Sequence, residues 1–560
     1  MIIIEVYNNK SLLYDESKDN GKLDFNYHEA LRNELSYSVP AAEWSQKYKQ
    51  GIWDGKISLY NKKEQSFPTG LCTRVKNLFE ILNINFKFVD KRKKPEKNYP
   101  VLCDFGNKEL RDYQINSGLA SSKFQRGMLA LCTGAGKTMT SCYIFNQLSV
   151  CPVIFIVPAI ELLKQTQKEF EKYLKINGEP VKVGIAGGGL NDLNLSGINV
   201  VTYQTALKAF DKKYVENGNK IVDDNNETIN KSLAQLQAEY EQSKIIFETY
   251  ESQVQDSKKI KSSLAYKNYK KSELAFKTRE KLLFQKECVR ELIKKCQAFI
   301  VDEAHVASVV IEELSKFAEN AYYKLGLSGT PWRTDNQEIR IEGALGRKII
   351  EVSASDLIDR GFLVKPKIFM CKVNEVNQGH TYAEIYNSNI VNNWERNYRI
   401  KSFAEEFKKQ NRPTLILVER REHGAILESM IEDAVFVPGG DKGEEDPTDE
   451  ERNYRRRMLN SVENNEIILI ATQWANVGVD APKISCLILG GSNQSSVTTY
   501  QQVGRVLRCV GKDIEESIKN GKPDAIIVDF YSDQKNMKTQ SNLRKKVYKN
   551  ERSWEFYEMK

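Results

Sequence analysis

The stretch Leu131-Cys132-Thr133-Gly134-Ala135-Gly136-Lys137-Thr138 holds residue types suited to an oligophosphate. Gly134 and Gly136 let backbone N–H groups come close to an anion, and the helix start that follows turns the positive end of its dipole toward it. Lys137 reaches the β/γ-phosphates, and the Thr138 hydroxyl is placed to hold Mg²⁺. The longer pattern G-x-x-x-x-G-K-[ST] asks for glycine at position 131, where this chain has Leu131, so the form present is the shorter T-G-x-G-K-T from Thr133. Alone, it also reads as a glycine turn before a helix. Further along, Asp302-Glu303-Ala304-His305 offers two adjacent carboxylates with divisible work. Asp302 would position Mg²⁺ through water while Glu303 orients and deprotonates the attacking water, and His305 can couple the site to the next element. In Gln501-Gln502-Val503-Gly504-Arg505-Val506-Leu507-Arg508 two arginines, Arg505 and Arg508, share one side of a helix. Guanidinium stays charged and forks onto phosphate, so the pair is a candidate arginine finger, worth on the order of 10³–10⁵ in rate. Two arginines at that spacing are ordinary on a surface helix. Gln501 and Gly504 at fixed offsets set these apart.

A strand must deliver each group. Met128-Leu129-Ala130-Leu131 is an apolar run before the glycine turn, and Ala298-Phe299-Ile300-Val301 is another before the two carboxylates. Pro152 to Pro158, Ile198 to Thr205 and Leu325 to Arg333 repeat the pattern of buried strand and polar end. Ligand-facing groups of open α/β sheets lie at the carboxyl ends of strands, which is where Pro158, Thr202, Gln204, Ser328 and Thr330 fall. Before the first strand, the Gln114 amide in Leu110-Arg111-Asp112-Tyr113-Gln114 can pair with adenine N6/N7, with Arg111 as its brace; the same residues also read as the first turn of a surface helix. A second series of apolar runs (414–418, 434–437, 467–471, 486–489 and 525–528) has helices between most members and no phosphate loop, so it predicts a second parallel α/β domain. Within it, Ala471-Thr472-Gln473-Trp474-Ala475-Asn476-Val477-Gly478-Val479-Asp480 sets hydroxyl, amide and carboxylate groups after a strand.

The remaining segments read as additions to this core. Residues 1–97 predict a small α+β accessory domain with strands at Ile2–Tyr7 and Asn83–Val89. Between these strands, Tyr48 to Tyr60 interleaves aromatics, Trp53 among them, with lysine. Such a stretch can stack bases, or it is a hairpin with Trp53 in its core. Asp90 to Lys97 reads as a solvated linker. Residues 98–345 form the first α/β domain, interrupted at 211–296, and residues 346–535 form the second. In the interruption Leu233, Leu236, Tyr240, Ser243, Phe247, Tyr250 and Val254 make a heptad seam with one polar lapse, which predicts two long antiparallel helices, the first roughly 40 Å long. The hairpin is either a probe for a junction or protein partner, or a self-packed elaboration of a loop. Residues 536–560 read as a basic tail with aromatics that touches nucleic acid or docks on the second domain.

The chain of 560 residues is 41% hydrophobic and carries 83 basic against 75 acidic residues, a net +8 compatible with a polyanionic partner and equally with an ordinary surface. Its ten cysteines include no C-x-x-C pair and no Cys/His ligand spacing, so no zinc site, no disulfide and a reducing compartment are expected. No apolar run approaches the ~18 residues needed to span a membrane, and the start lacks a basic signal, so a cytoplasmic protein is expected.

Gln114, Thr133 to Thr138, Asp302 to His305, Ser328-Gly329-Thr330 and Gln501 to Arg508 resemble, in order and spacing, the motifs of superfamily 2 helicases over about residues 108 to 530. With Gly51-Ile52-Trp53-Asp54-Gly55, the stretch at 110–114 resembles the phage recombination helicases of the UvsW type, and the 211–296 insertion falls outside that likeness. The resemblance implies two tandem RecA-like domains, with ATP and Mg²⁺ held by Lys137, Thr138, Asp302, Glu303, Arg505 and Arg508. It makes Gly478 and Asp480 a nucleotide-sensing element, and it lays a nucleic-acid strand over Pro158, Thr202, Gln204 and Thr472. It further implies remodelling of branched DNA (branch migration, fork regression and annealing) with 3′ to 5′ polarity. An RNA helicase, a motor subunit of a restriction or transcription assembly, and a DNA-binding scaffold without turnover are the alternatives.

Overall fold

The computed structural model describes the chain apart from residues 211–214, 217–218, 221–232, 255–260, 262, 330–337, 377, 440–448, 473, 475–480, 493–494 and 560. Two large sheets dominate it. The first runs, in spatial order, Leu190–Asp192, Gly184–Gly187, Ile198–Thr202, Val153–Val157, Ala298–Val301, Tyr323–Ser328, Arg126–Leu131 and Lys348–Val352. It is parallel except at its Leu190–Asp192 edge. The mostly apolar runs follow from that topology, because helices cover both faces and leave few positions for a polar side chain, Asn199 and Lys324 among them. The second sheet, parallel throughout, runs Ala434–Val437, Ile468–Ala471, Thr414–Leu417, Cys486–Leu489, Asp524–Tyr531, Lys365–Lys372 and Glu555–Met559. One apolar core continues from the first sheet into the second through Val352, Ala354, Leu357 and Leu363.

The C-terminal segment is a structural part of the second sheet rather than a tail. Lys535–Asn550 is a helix, and Glu555–Met559 pairs in parallel with Lys365–Lys372 to close the sheet edge. Buried Arg544 donates from Nε to Asp529 Oδ2 at 2.8 Å, and Tyr548 Oη donates to the same oxygen at 2.9 Å. Trp554 is buried against Tyr500 and Tyr548.

The N-terminal sheet is Ser66–Pro68, Lys10–Asp15, Ile2–Val6 and Phe86–Asp90, so its last strand begins three residues later than the apolar alternation suggested. Its helices pack on helix Glu338–Leu345 of the first lobe, whose Ile339 enters the N-terminal core. A Cβ at Gly70 would meet Glu342 O at 2.0 Å, and Arg74 Nε donates to Glu342 Oε2 at 2.6 Å. The stretch after Asp90 is mostly exposed but is held at two points: Arg92 binds Asp90 and lies over the Tyr322 ring, while Lys93 O accepts from Asn8 Nδ2.

The insertion forms helices Leu233–Gln253 and Leu264–Lys295, of 21 and 32 residues. At 1.5 Å per residue they span about 32 and 48 Å, so the first falls short of the expected length. Tyr240 stacks on Tyr269 and Phe276, and Phe247 on Tyr269. The polar lapse of the seam is accounted for: the Ser243 hydroxyl meets that of Ser272. Val289, Leu292 and Ile293 root the hairpin in the first lobe.

Candidate nucleotide site between the lobes

In the first sheet, Arg126–Leu131 and Ala298–Val301 flank Tyr323–Ser328. Strands lie about 4.8 Å apart, so the ends of the outer pair are about 10 Å apart, a gap that a lysine from one side and a glutamate from the other close together. Lys137 reaches into that gap. Its Nζ is ion-paired with Glu303 Oε1 and lies 4.0 Å from Asp302 Oδ1. Burial works to depress the Lys137 ammonium, but Glu303 and Asp302 outweigh it and hold its pKa above the ordinary value. Burial likewise opposes ionisation of Glu303, and Lys137, His305 and Arg505 together keep its carboxyl below the usual range. Asp302 is pushed up to about 6, by burial first.

The backbone here is strained where the side chains converge. Glu303 sits at φ 47°, in the left-handed region that a residue with a Cβ enters at a cost of about 1–3 kcal/mol. Asp302 Oδ1 accepts the Glu303 N–H at 2.9 Å and Ala304 N donates to Leu327 O, which fixes this turn against the neighbouring strand. Glu303 Oε2 is buried without a hydrogen bond, 3.4 Å from His305 Nδ1.

Gly134 and Gly136 take φ of 89° and 76°, and a Cβ at Gly136 would meet Gln114 Nε2 at 2.6 Å. Gln114, buried, accepts the Arg111 N–H through Oε1 and donates from Nε2 to Ala135 O. Its amide therefore braces the phosphate loop and keeps one N–H and one lone pair beyond those bonds. Arg111 does not brace that amide with its side chain as expected. Its guanidinium stacks on Phe362 at 4.0 Å, and Nη2 donates to Lys512 O in the second lobe at 3.0 Å.

The arginine helix, Ser496–Val506, closes the cleft from the other side; it carries Arg505 but ends before Arg508, which bridges to Leu363, so the two arginines do not share one helix face as expected. A Cβ at Gly504 would fall 2.6 Å from Thr133 Cβ, and one at Gly134 would fall 3.6 Å from Arg508 Cγ. Gln501 Nε2 lies 3.3 Å from His305 Nε2. An amide nitrogen only donates, so His305 accepts there and gives its Nδ1–H to Ser328 Oγ at 2.7 Å. Arg505 is pushed down to about 9, by burial first and then by Arg508, against the pull of Glu303. This dry pair of guanidiniums, the narrow glycine cradle and the buried orphan oxygen of Glu303 suit a polyanionic nucleotide with its divalent cation. Thr138 is half-buried at the helix start.

Other expected positions fare differently. Thr202 caps its own helix, accepting from Thr205 N and donating to Thr205 Oγ1, and is buried. Thr472 is buried, and its Oγ1 accepts from Gly439 N at 2.7 Å. One hydroxyl is spent on a helix cap and the other on a loop, whereas Gln204 is exposed and Pro158 half-buried. Trp53 is not a core residue: it is half-exposed in the long connection, with helix Gln46–Lys49, between antiparallel strands Ser36–Ser38 and Lys56–Ser58, and its Nε1–H donates to Lys56 O at 2.7 Å. Thr330, Gly478 and Asp480 fall outside the described residues. Sequence reasoning missed Gly504 as a close-packing position and Phe362 as the platform under Arg111. Only the meeting of the lobes marks either.

Residues 107–224 match the family model for the Type III restriction enzyme res subunit, and residues 398–510 match that for the helicase conserved C-terminal domain. These two segments are of the kind that superfamily 2 helicases, an ATP-hydrolysing class, carry as paired motor domains, and the chain resembles that class. Within that class it resembles UvsW. It is 21% identical over 521 residues to the ATP-dependent DNA helicase uvsW of Enterobacteria phage T4, covering 86% of this chain and 84% of that one. A crystal structure of T4 UvsW aligns with 100% of this chain and 99% of its own at a TM-score of 0.40 and 16% identity. Putative helicase 22 of Sulfolobus islandicus filamentous virus is 26% identical over 243 residues, 40% of this chain and 42% of its own. The DNA 3'-5' translocase XPB2 of Sulfurisphaera tokodaii is 35% identical over 134 residues, 23% of this chain and 28% of its own. The chain therefore spans less than half the length of these last two relatives. Among the described residues no helix is long and apolar enough to cross a membrane.

Proposed function

We propose that this protein is an ATP-dependent DNA helicase or translocase that acts on branched DNA, in branch migration, fork regression, recombination and repair, with 3′ to 5′ polarity. The observation that carries the motor reading is the approach of the phosphate loop of one lobe to the arginine helix of the other, read from Gly504 against Thr133. Lys137 grips the phosphates from the first lobe, Arg505 and Arg508 grip them from the second, and Gln114 faces the base. Thr138 and Asp302 would hold Mg²⁺, which would neutralise charge at the transferred phosphate. Glu303, released from Lys137 when phosphate takes that lysine, deprotonates the attacking water. Cleavage ends the shared grip and lets the lobes part, while the contacts of His305 with Ser328 and Gln501 pass the change between them. Likeness to uvsW over most of the chain supports the choice of DNA, and the name of the archaeal relative supports the polarity.

The test is ATPase activity across single-stranded, duplex, forked and four-way DNA and matched RNA. Greatest stimulation by forked or four-way DNA is expected, with none by RNA. Stimulation by RNA alone overturns the DNA reading. Turnover unchanged by Glu303→Gln overturns the site.

A further inference from the structure

Helix Trp394–Lys409 begins with two aromatic side chains that the fold leaves in water. Trp394 is 69% exposed and Tyr398 50% exposed, and their rings stack at 5.1 Å with 15° between the planes. The helix beneath them is held hard. Buried Arg396 donates from Nε to Gly490 O and from Nη2 to Gly491 O, both at 3.0 Å, and lies over Phe530. Asn393 Oδ1 caps the helix by accepting from Arg396 N, and Asn397 Oδ1 pairs with His423 Nε2 at 2.9 Å.

Those bonds also fix where the pair stands. Gly490 and Gly491 directly follow strand Cys486–Leu489, so the first turn of the helix lies at the carboxyl edge of the second sheet. Thr472 ends Ile468–Ala471 on the same edge, two strands away or about 10 Å. The helix packs on the sheet face opposite the arginine helix, since Ile400 and Ala404 share a core with Ile416 and Ile488 while Val503 and Val506 share one with Leu417 and Leu489. The pair therefore stands at the carboxyl edge beside the middle strand of the sheet, on the face turned away from the arginine helix. The one acidic neighbour in the first turn is spent: Glu395 accepts from Asn374 N and Nδ2 and is paired with Arg399.

We propose that Trp394 and Tyr398 form a stacking platform for an unpaired nucleobase, at the point where a strand lying along the carboxyl edge meets or leaves the second lobe. The proposal rests on the reading of the chain as a nucleic-acid motor. A flat, rigid double ring suits the π-face of a base, and only an unpaired base exposes that face. Because every base has one, the platform would be indifferent to sequence, as a translocating motor requires.

Fluorescence anisotropy with the full chain tests this on three probes: oligothymidylate, an abasic oligonucleotide of equal length and a blunt duplex. Trp394→Ala and, independently, Tyr398→Ala are expected to weaken oligothymidylate binding by about 5- to 150-fold while leaving the other two probes unchanged. Trp394→Phe is expected to retain most of the affinity. Both rings are exposed, so the unfolding midpoint stays at its wild-type value. Wild-type affinity for oligothymidylate in both alanine variants overturns the platform, and so does an equal loss on the abasic strand, which would assign the surface to backbone or protein contacts. A wild-type chain that binds none of the three probes overturns the motor reading instead.

Discussion

Gly504→Ala adds a single methyl group at the meeting of the two lobes. The new carbon would lie 2.6 Å from Thr133 Cβ, 3.1 Å from its Oγ1 and 3.2 Å from its Cγ2. Carbon atoms rest about 3.5–4.0 Å apart, so the lobes must separate by about 1 Å. Thr133 Cβ is bonded directly to the phosphate-loop backbone and cannot swing aside. Overpacking of this kind costs about 1–3 kcal/mol, which depopulates the closed cleft by about 5- to 150-fold. Inside its own helix, alanine is favoured over glycine by about 0.8–1.0 kcal/mol, so the second lobe is not loosened. The variant should therefore unfold at or above the wild-type midpoint yet turn over ATP about 5- to 150-fold more slowly. Thermal unfolding and steady-state ATPase on the same preparation separate the two effects. Thr133→Gly in the same chain should restore part of the rate by removing the carbon that clashes. Turnover within about twofold of wild type for Gly504→Ala would refute the closed arrangement as the hydrolysing one.

Arg505→Met should cut ATP turnover by about 10³- to 10⁵-fold while leaving the unfolding midpoint equal or higher, because burial of that guanidinium is already costly; a fall in both would assign Arg505 a structural role. His423 is held neutral by burial, first of all, with a pKa pushed down to about 3, whereas an unfolded histidine titrates near 6.5. Between those values the unfolded chain binds the extra proton, so stability is complete above about pH 6.5 and falls on acidification by up to about 1.4 kcal/mol per pH unit. His423→Gln should flatten that part of the profile in denaturant titrations at pH 5 to 7. Arg544→Ala leaves Asp529 buried without its ion pair and should lower stability by about 3–5 kcal/mol in urea unfolding; a loss below about 1 kcal/mol would show that the C-terminal helix is dispensable to the second lobe.

Legibility differed between elements for identifiable reasons. Apolar runs such as 153–157, 298–301 and 486–489 had to be buried strands, because they are too short for core helices and lack the alternation of a half-exposed sheet. The edge strand Glu555–Met559, Glu-Phe-Tyr-Glu-Met, shows neither an apolar run nor a strict alternation and gains its identity only by pairing with Lys365–Lys372, so it read as a tail. Trp53 and Arg111 show the same limit at the level of side chains. Their types announce what they are able to bind, but the partners that engage them, Lys56 O for one and Phe362 with Lys512 O for the other, are set by chain folding.

The amino-acid sequence by itself determined that two parallel α/β units exist and that a glycine loop, a paired carboxylate and an arginine helix are available at their strand ends. Local spacing suffices for that, since each motif is written in consecutive residues. Only the tertiary structure decided that Lys137 would reach Glu303 across an intervening strand, that Gly504 would press on Thr133, and that Thr472 would turn its hydroxyl to Gly439. Each of these depends on distances between segments far apart in the chain, and such distances are fixed by strand order and by the packing of one lobe on the other.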